Sequence, residues 1–516
     1  MTSSDEVPGE ISSEIPSLRE KSIRSALWMA GLQGLVGLLY FGVPLVLSYL
    51  VTPAEMGVLA LVVFVFALSV VIVELGAAQA VVQRVDLTPR YVATVFWVNI
   101  GMGAALAATL FVVAPWIRSF LRAEAHLVTL LRWIGPGLLL HSLGVVPRGL
   151  LARRMEFKRL SFASTVAIVP AVAAASLGLA WTGVYGIVYG ILTLTTLTSA
   201  ALWLASGFRP TLAFDRAEVS TIARFGSSAS LGTAAEMLSI LVERFLMGRF
   251  LGMAAVGLWD VTRSLAREPL RRLMTVFDEV LFPGLATLQG DLERSRRYYL
   301  TVVRYELAIF GPIVVFTGVF AYELTTLFYG DAWLPVALLT QLIVLQSWRT
   351  ITVHSVGALF LARGRPDVRV WWVLVSVAFT PVMFFAGRPW GLPGYAASCS
   401  IIGFVVWVIS HTLANRLIEL RWGRFLRAIA APLAVHLTFG VVLVTARFAL
   451  LPRIASHGSD TTLLVIVPAI LIYVALLWAF DRALLLGLAS ALRDAFRRRP
   501  AFVPEPARTR GSEAAC

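Results

Sequence analysis

The sequence is poor in charge for its length. Charged residues make up 14% of the 516 positions and hydrophobic residues 58%, whereas soluble domains are about a quarter charged. Apolar blocks of about 20 residues, the length that crosses a bilayer as a helix, recur along the chain, as at 32–51, 56–75 and 463–480. Because lipid offers no hydrogen-bond partners, such blocks must be helical. We therefore exclude an ordinary soluble fold and predict an all-α polytopic membrane protein with about 14 transmembrane helices.

Motifs of nucleotide, metal and acyl-transfer chemistry are also missing. The two lysines follow Glu20 and Phe157 rather than the glycine of a Walker A motif. The sequence has no H-E-x-x-H or G-x-S-x-G motif, and its six histidines are scattered. Cys399 lies in an apolar block and Cys516 in the tail, a pattern that indicates neither a disulfide nor a metal cluster. We expect no catalytic residues, no metal, no cofactor, and a protein that is not an enzyme.

Positive charge is distributed unevenly among the loops between the predicted spans. Every second loop is rich in arginine and most of the others are not, although the third loop, with Arg118 and Arg122, is an exception. The positive-inside rule places the basic loops, and with them both termini, in the cytoplasm. This topology accounts for the net charge of +14 without a nucleic-acid partner. The basic loops contain Arg84 and Arg90; Arg153, Arg154, Lys158 and Arg159; Arg209 and Arg216; Arg294, Arg296 and Arg297; Arg363, Arg365 and Arg369; and Arg416, Arg421, Arg424 and Arg427.

A weak internal repeat divides the sequence into two halves. Gly57 and Gly257 occupy equivalent positions in similar segments, and two further matches follow in the same order with nearly the same spacing. A repeat of six spans makes the two copies parallel, which is typical of transporters with a substrate path between two lobes. A chance match is the alternative. The matched segments are Leu50–Leu59 with Phe250–Trp259, 151–153 with 361–363, and 183–186 with 391–394.

The repeat and the loops predict the domain organisation. We expect a disordered cytoplasmic tail at 1–20, two parallel six-helix lobes at 21–208 and 209–420 around a central cavity, two additional helices at 421–485, and a cytoplasmic tail at 486–516.

The predicted eighth span, 255–283, carries charges at helical spacing. Asp260, Arg263, Arg267 and Arg271 follow one another at steps of three and four residues, so they share one face of a helix. An arginine facing lipid is costly, so this face should line protein or water. Guanidinium groups bind phosphates in bidentate fashion, and the stripe therefore predicts a cationic wall for a phosphate-bearing anion.

The neighbouring span supplies further charges to this region. We predict that Arg244 supports Arg263, Arg267 and Arg271 in substrate binding, while Glu243 and Asp260 balance charge or carry a coupled ion. Two alternatives stay open. The segment 260–278 could instead be an amphipathic helix on the cytoplasmic membrane surface, or the arginines could be neutralised in internal pairs with nearby carboxylates.

Several segments resemble the bacterial polysaccharide flippases of the multidrug/oligosaccharidyl-lipid/polysaccharide exporter superfamily. The similarity is to the branch for lipopolysaccharide and exopolysaccharide (colanic-acid-type) export, and it covers about residues 20–420. The resemblance implies two six-helix lobes around a central cavity and alternating access. The segments are Glu74–Asn99, Leu150–Ser161, Arg267–Gln289, Leu327–Pro335 and Leu359–Asp367.

The resemblance implies a flippase in the bacterial cytoplasmic membrane whose cargo is undecaprenyl-pyrophosphate-linked oligosaccharide. Its expected partners are this lipid-linked oligosaccharide, membrane lipid and possible pathway proteins such as a polysaccharide polymerase. A flippase for the peptidoglycan lipid precursor and a small-molecule exporter are alternatives on the same fold. A polytopic glycan polymerase or ligase is a rival of another class, against which the short outer loops argue.

Overall fold

The computed structural model describes residues 45–487 and 489, apart from 75–76, 85, 269, 272–273, 275–283 and 450–459. Within this part of the chain the regular structure is helical, which confirms the all-α prediction. The predicted N-terminal tail, nearly all of the predicted C-terminal tail and most of the first predicted span lie outside the described residues. The α-helices, numbered here in chain order, are α1 Pro53–Glu74, α2 Ala77–Gln83, α3 Pro89–Leu121, α4 His126–Arg153, α5 Phe157–Thr165, α6 Ile168–Thr182, α7 Gly186–Ser206, α8 Arg216–Leu251, α9 Met253–Ala266, α10 Leu292–Val319, α11 Ala321–Tyr329, α12 Pro335–Ala362, α13 Pro366–Gly387, α14 Gly391–Leu417, α15 Trp422–Ala449 and α16 Asp460–Phe480.

Eight stretches of helix in the described part of the chain are long and apolar enough to cross a membrane. Two of them contain more than one helix: Phe157–Ser206 covers α5, α6 and α7, and Val377–Leu417 covers the second half of α13 and all of α14. The charged helices α8 and α9 are not among the eight, and the apolar part of α16 is shorter, at Ile466–Phe480. The protein is therefore a multi-pass membrane protein, and the exact number of spans stays a prediction.

Polar side chains fix where three of the long helices begin. The Thr88 hydroxyl accepts a hydrogen bond from the Tyr91 amide at 3.2 Å and starts α3. Asp215 caps α8, and Asp291 caps α10 through the Arg294 amide at 2.9 Å. Such caps satisfy amides that lack a partner within the helix. Each of these helices thus begins within one of the predicted basic stretches, because Arg90, Arg216 and Arg294 lie in their first turns.

The helices pack in two sets that follow chain order. In the first set α4 contacts α1, α3 and α7, and α7 contacts α6. In the second set α12 contacts α9, α10 and α14, while α13 contacts α8 and α14. The helices α15 and α16 extend the second set, because α15 packs on α10 and α16 packs on α15. The two sets meet where α9 and α8 contact α1.

The repeat glycines Gly57 and Gly257 lie at the crossing of α1 and α9. A Cβ atom on Gly57 would lie 1.9 Å from the Met253 carbonyl oxygen, and one on Gly257 would lie 2.0 Å from the Pro53 carbonyl oxygen. The contact is reciprocal, since each glycine meets the residue four positions before the other. The two helices therefore approach backbone to backbone, in the manner that small residues permit in membranes.

A second repeat pair, Gly183 and Gly391, lies in the connections from α6 to α7 and from α13 to α14. Gly183 has φ 62° and ψ −142°, and Gly391 has φ 66° and ψ −151°. Residues with a side chain rarely adopt this backbone conformation. Gly183 starts a short 3-10 turn before α7, whereas Gly391 follows such a turn and is the first residue of α14. The sequence match thus corresponds to the same backbone conformation at one residue of each connection.

We expect Gly257→Ala to force α1 and α9 apart and lower the stability of the purified protein. Added volume at a close backbone crossing costs about 1–3 kcal/mol, which a thermal unfolding curve in detergent would detect. Gly101→Ala is the control, because a Cβ atom there meets nothing within 4 Å. Equal melting curves for the two variants would show that the crossing contributes no stability.

Candidate functional site

The charged stripe predicted from the sequence lies on and just beyond α9. Arg267 follows the last residue of this helix, and its amide still bonds to the Arg263 carbonyl at 2.9 Å. The Arg271 amide continues the pattern with the Arg267 carbonyl at 2.9 Å. Trp259 and Val261 are almost fully buried, so α9 packs inside the protein. The rest of the predicted eighth span falls largely on 272–273 and 275–283, outside the described residues.

Arg263 is neutralised by Glu243 of α8. Its guanidinium Nη1 donates to Glu243 Oε2 at 2.6 Å. The other carboxylate oxygen, Oε1, accepts from Trp259 Nε1 at 3.0 Å and from the Tyr395 hydroxyl of α14 at 2.6 Å. Glu243 thus accepts hydrogen bonds from three side chains on two other helices, and it is 8% exposed. This carboxylate ties α8, α9 and α14 together, and its charge is balanced by one arginine.

Arg244 forms a second pair, with Asp260 of α9. The guanidinium also lies over the Phe64 ring of α1, 4.5 Å from the ring centroid. A cation over an aromatic ring gains electrostatic attraction. Arg244 therefore contacts both sets of helices, and its charge is balanced by the carboxylate of Asp260.

Arg271 differs from the rest of the stripe. It pairs with Glu268 three residues earlier, at 2.8 Å, and its side chain is 59% exposed. Exposed pairs of this kind contribute little to stability. The structure thus places Arg271 in a wetter setting than Arg244 and Arg263, with a carboxylate of its own.

Arg267 is the member of the stripe without a carboxylate partner among the residues that the structure describes. Its guanidinium makes no side-chain hydrogen bond or ion pair there, and the residue is partly exposed. It lies within electrostatic range of the Arg263 and Arg349 guanidinium groups. The carboxylates in that range, Glu243 and Glu268, are bonded to Arg263 and Arg271. Of the four arginines predicted to bind substrate, Arg267 is thus the one whose charge stays available.

Arg349 of α12 is a residue that the sequence analysis missed. Its Nε atom is buried and lacks a hydrogen-bond partner, and it lies 3.3 Å from the position of a Cβ atom on Gly403 of α14. The positive charge of Arg267 acts on it. The signal was available, because Arg349 is an arginine inside the apolar stretch 335–362, and charges within spans commonly mark function.

The arrangement combines a rigid wall with uncompensated positive charge. Arg244 and Arg263 are held by carboxylates, so they fix α8 against α9 and present no net charge. Arg267 and Arg349 add positive charge beside that wall from two different helices. An anion in this place would neutralise charge that the described protein groups leave unbalanced.

Glu243→Gln should destabilise the fold more than the matched change Glu268→Gln. Removing the carboxylate charge leaves Arg263 buried without a counter-ion, and the expected loss is about 3 kcal/mol. The Glu268–Arg271 pair is far more exposed, so its loss should cost below about 1 kcal/mol. Unfolding curves of the two purified variants would measure the difference, and similar losses would contradict the role given to Glu243.

Comparison with known proteins agrees with this architecture. The lipopolysaccharide biosynthesis protein WzxC of Escherichia coli K12 is similar to this chain, with 23% identity over 411 residues, covering 77% of this chain and 81% of that protein. In fold, the chain is similar to the lipid II flippase MurJ, with a TM-score of 0.69 and 10% identity over 88% of this chain and 99% of that one. It is also similar to an inward-facing multidrug resistance transporter of the MATE family and MOP superfamily, with a TM-score of 0.57 and 17% identity over 76% and 98% of the two chains.

A family model described as "Polysaccharide biosynthesis protein" matches residues 46–338, more than half of the sequence. The matched region includes α1 to α11 and so contains the glycine crossing and the whole charged stripe. The chain belongs to this polysaccharide biosynthesis protein family.

Proposed function

We propose that the protein is a flippase that moves an undecaprenyl-pyrophosphate-linked oligosaccharide across the bacterial cytoplasmic membrane for cell-surface polysaccharide synthesis. Membership of the polysaccharide biosynthesis family supports the pathway. The fold supports transport, since the two similar solved structures are a flippase and a multidrug transporter by name. In this proposal the protein is a transporter and not an enzyme.

The observation that carries the proposal is the unbalanced positive charge at Arg267. A lone guanidinium in the interior of a membrane protein is costly, so a site that keeps one is suited to an anionic ligand. The pyrophosphate of a lipid-linked glycan supplies that charge, and guanidinium groups bind it in bidentate geometry. We assign direct contact to Arg267, with Arg271 at the wetter end of the stripe, while Arg244 and Arg263 hold the wall.

Alternating access gives the crossing of α1 and α9 a mechanical role. The loops beside it contain Thr52 and Gly252, in connections that carry little positive charge, and the positive-inside rule assigns such loops to the outer face. The crossing would then close the outer side while the substrate enters from the cytoplasm. Separation of the two helices at this point would open the path outward.

Reconstituted protein should move the glycolipid between leaflets. Proteoliposomes with the wild-type chain are expected to expose a lipid-linked oligosaccharide to an external glycosidase. The double change Arg267→Gln and Arg271→Gln should reduce the rate at least about tenfold, since each lost charge-assisted contact is worth about 1.4 kcal/mol or more. Movement of peptidoglycan precursor alone would favour that alternative cargo. Unchanged transport by the double variant would refute the site assignment.

Cysteine labelling tests the proposed orientation and the access of water to the stripe. In a chain without Cys399 and Cys516, Arg267→Cys should react from outside intact cells with a membrane-impermeant thiol reagent, and lipid-linked glycan should protect it. Glu124→Cys is the outer control, since its side chain is 77% exposed, and Arg365→Cys, with a side chain 52% exposed, is the cytoplasmic one.

The two control variants show which side of the membrane each loop faces. Labelling of the Arg365→Cys control from outside would reverse the topology. Labelling of Arg267→Cys only in inside-out vesicles, without protection by substrate, would assign the stripe to a cytoplasmic surface helix.

A further inference from the structure

Arg349 adds a residue from a second helix, α12, to the proposed substrate site. Ser347, two residues before Arg349 on α12, donates to the carbonyl of Ala266, which directly precedes Arg267. The Arg349 Nε atom lies beside Gly403 of α14, and Cys399 of the same helix lies within electrostatic range of both arginines. Both arginines therefore lie where α9, α12 and α14 pack together. Neither has an ion-pair partner among the described residues, whereas Arg244, Arg263 and Arg271 each have one.

The nearby carboxylates form their direct ion pairs with other arginines. Glu243 bonds to Arg263, Trp259 and Tyr395. Asp260 bonds to Arg244, and Glu268 bonds to Arg271. Two like charges held together in the interior repel each other and are poorly solvated. A purely structural role does not explain why both arginines lie at this place, because either one alone would be buried at a lower cost in free energy.

Local packing also holds Arg349 in place. Its Nε atom is buried against Gly403, where any larger residue would crowd the guanidinium. The Ser347 hydroxyl on the same helix reaches the Ala266 carbonyl at 3.5 Å, so α12 is seated directly beside the end of α9. The backbone thus fixes the distance between the two helices that carry the arginines.

We infer that Arg267 and Arg349 form a two-arginine clamp for a diphosphate group, with one guanidinium from α9 and the other from α12. The inference rests on the proposed function and deepens it by adding Arg349 to Arg267 as a group that contacts the pyrophosphate. Two adjacent phosphates present several oxygens to two planar forks, so each guanidinium can bind in bidentate geometry. A monophosphate offers fewer oxygens and should bind the clamp more weakly.

Binding of inorganic pyrophosphate to the purified full-length protein tests the clamp. Titration calorimetry at fixed salt should show at least tenfold weaker binding for Arg267→Gln and for Arg349→Gln, and weaker binding of orthophosphate to the wild-type protein. Arg349→Lys should recover only part of the affinity, because lysine lacks the planar fork. Arg388→Gln is the matched control, since Arg388 is exposed and lies over the Phe250 ring.

Thermal unfolding separates binding from structure. If Arg349 belongs to the clamp, Arg349→Gln should leave the melting temperature unchanged or raise it, because a repelling charge is removed. Normal pyrophosphate binding by Arg349→Gln, with or without a lower melting temperature, would overturn the clamp. Loss of binding only together with loss of the folded protein in both the Gln and Lys variants would assign Arg349 to structure and overturn it too.

The glycolipid transport assay distinguishes the clamp from the proposed function. Transport that survives both single variants, together with pyrophosphate binding that does not depend on them, would reject the clamp and keep the flippase. Pyrophosphate binding that needs both arginines, in a protein that moves no lipid-linked glycan, would keep the clamp and reject the flippase.

Discussion

The charge pair between Glu243 and Arg263 is the contact on which the candidate site depends. Glu243 lies on α8, Arg263 on α9, and the same carboxylate accepts hydrogen bonds from Trp259 and Tyr395. In the interior of a membrane protein a single unpaired charge is expensive, and breaking a buried pair costs more than forming it returns. The three helices are therefore held in one arrangement by the need to keep this carboxylate satisfied. The position of every other charged group on α9 follows from that arrangement.

Helix α9 also joins the chemistry of the site to the contact between the two sets of helices. One end of α9 crosses α1 at the Gly57 and Gly257 contact, and the other end carries Arg263 and Arg267. The helix is 14 residues long, about 21 Å at 1.5 Å per residue. An anion bound at one end thus acts on the same rigid element whose other end forms the crossing. A change in the tilt of α9 would couple anion binding to the helix crossing without any intervening loop.

Sequence reasoning named Glu243 and Asp260 as charge-balancing groups but could not say which arginine each would pair with. Spacing of three and four residues grouped Asp260 and Arg263 on α9 and Arg267 at its end, because helical periodicity is a property of neighbouring residues. It could not divide the stripe into paired and unpaired charges. That division depends on Glu243, twenty residues away, and on the packing of α8 against α9. The same reasoning overlooked Arg349, since nothing local links α12 to the end of α9.

The repeat shows the opposite case, in which a weak sequence signal has a strong physical cause. Gly57 and Gly257 match because each must lack a side chain where the two helix backbones touch. Gly183 and Gly391 match because each adopts the same positive φ. Between these fixed points the two halves are free to diverge, and their charges have done so: the stripe of α9 has no counterpart in α1, which carries acidic residues only, at Glu55 and Glu74. A symmetric scaffold with an asymmetric distribution of charge is suited to a cargo whose two ends differ. One half of the protein can then hold the anionic group of the cargo while the glycan passes between the two halves.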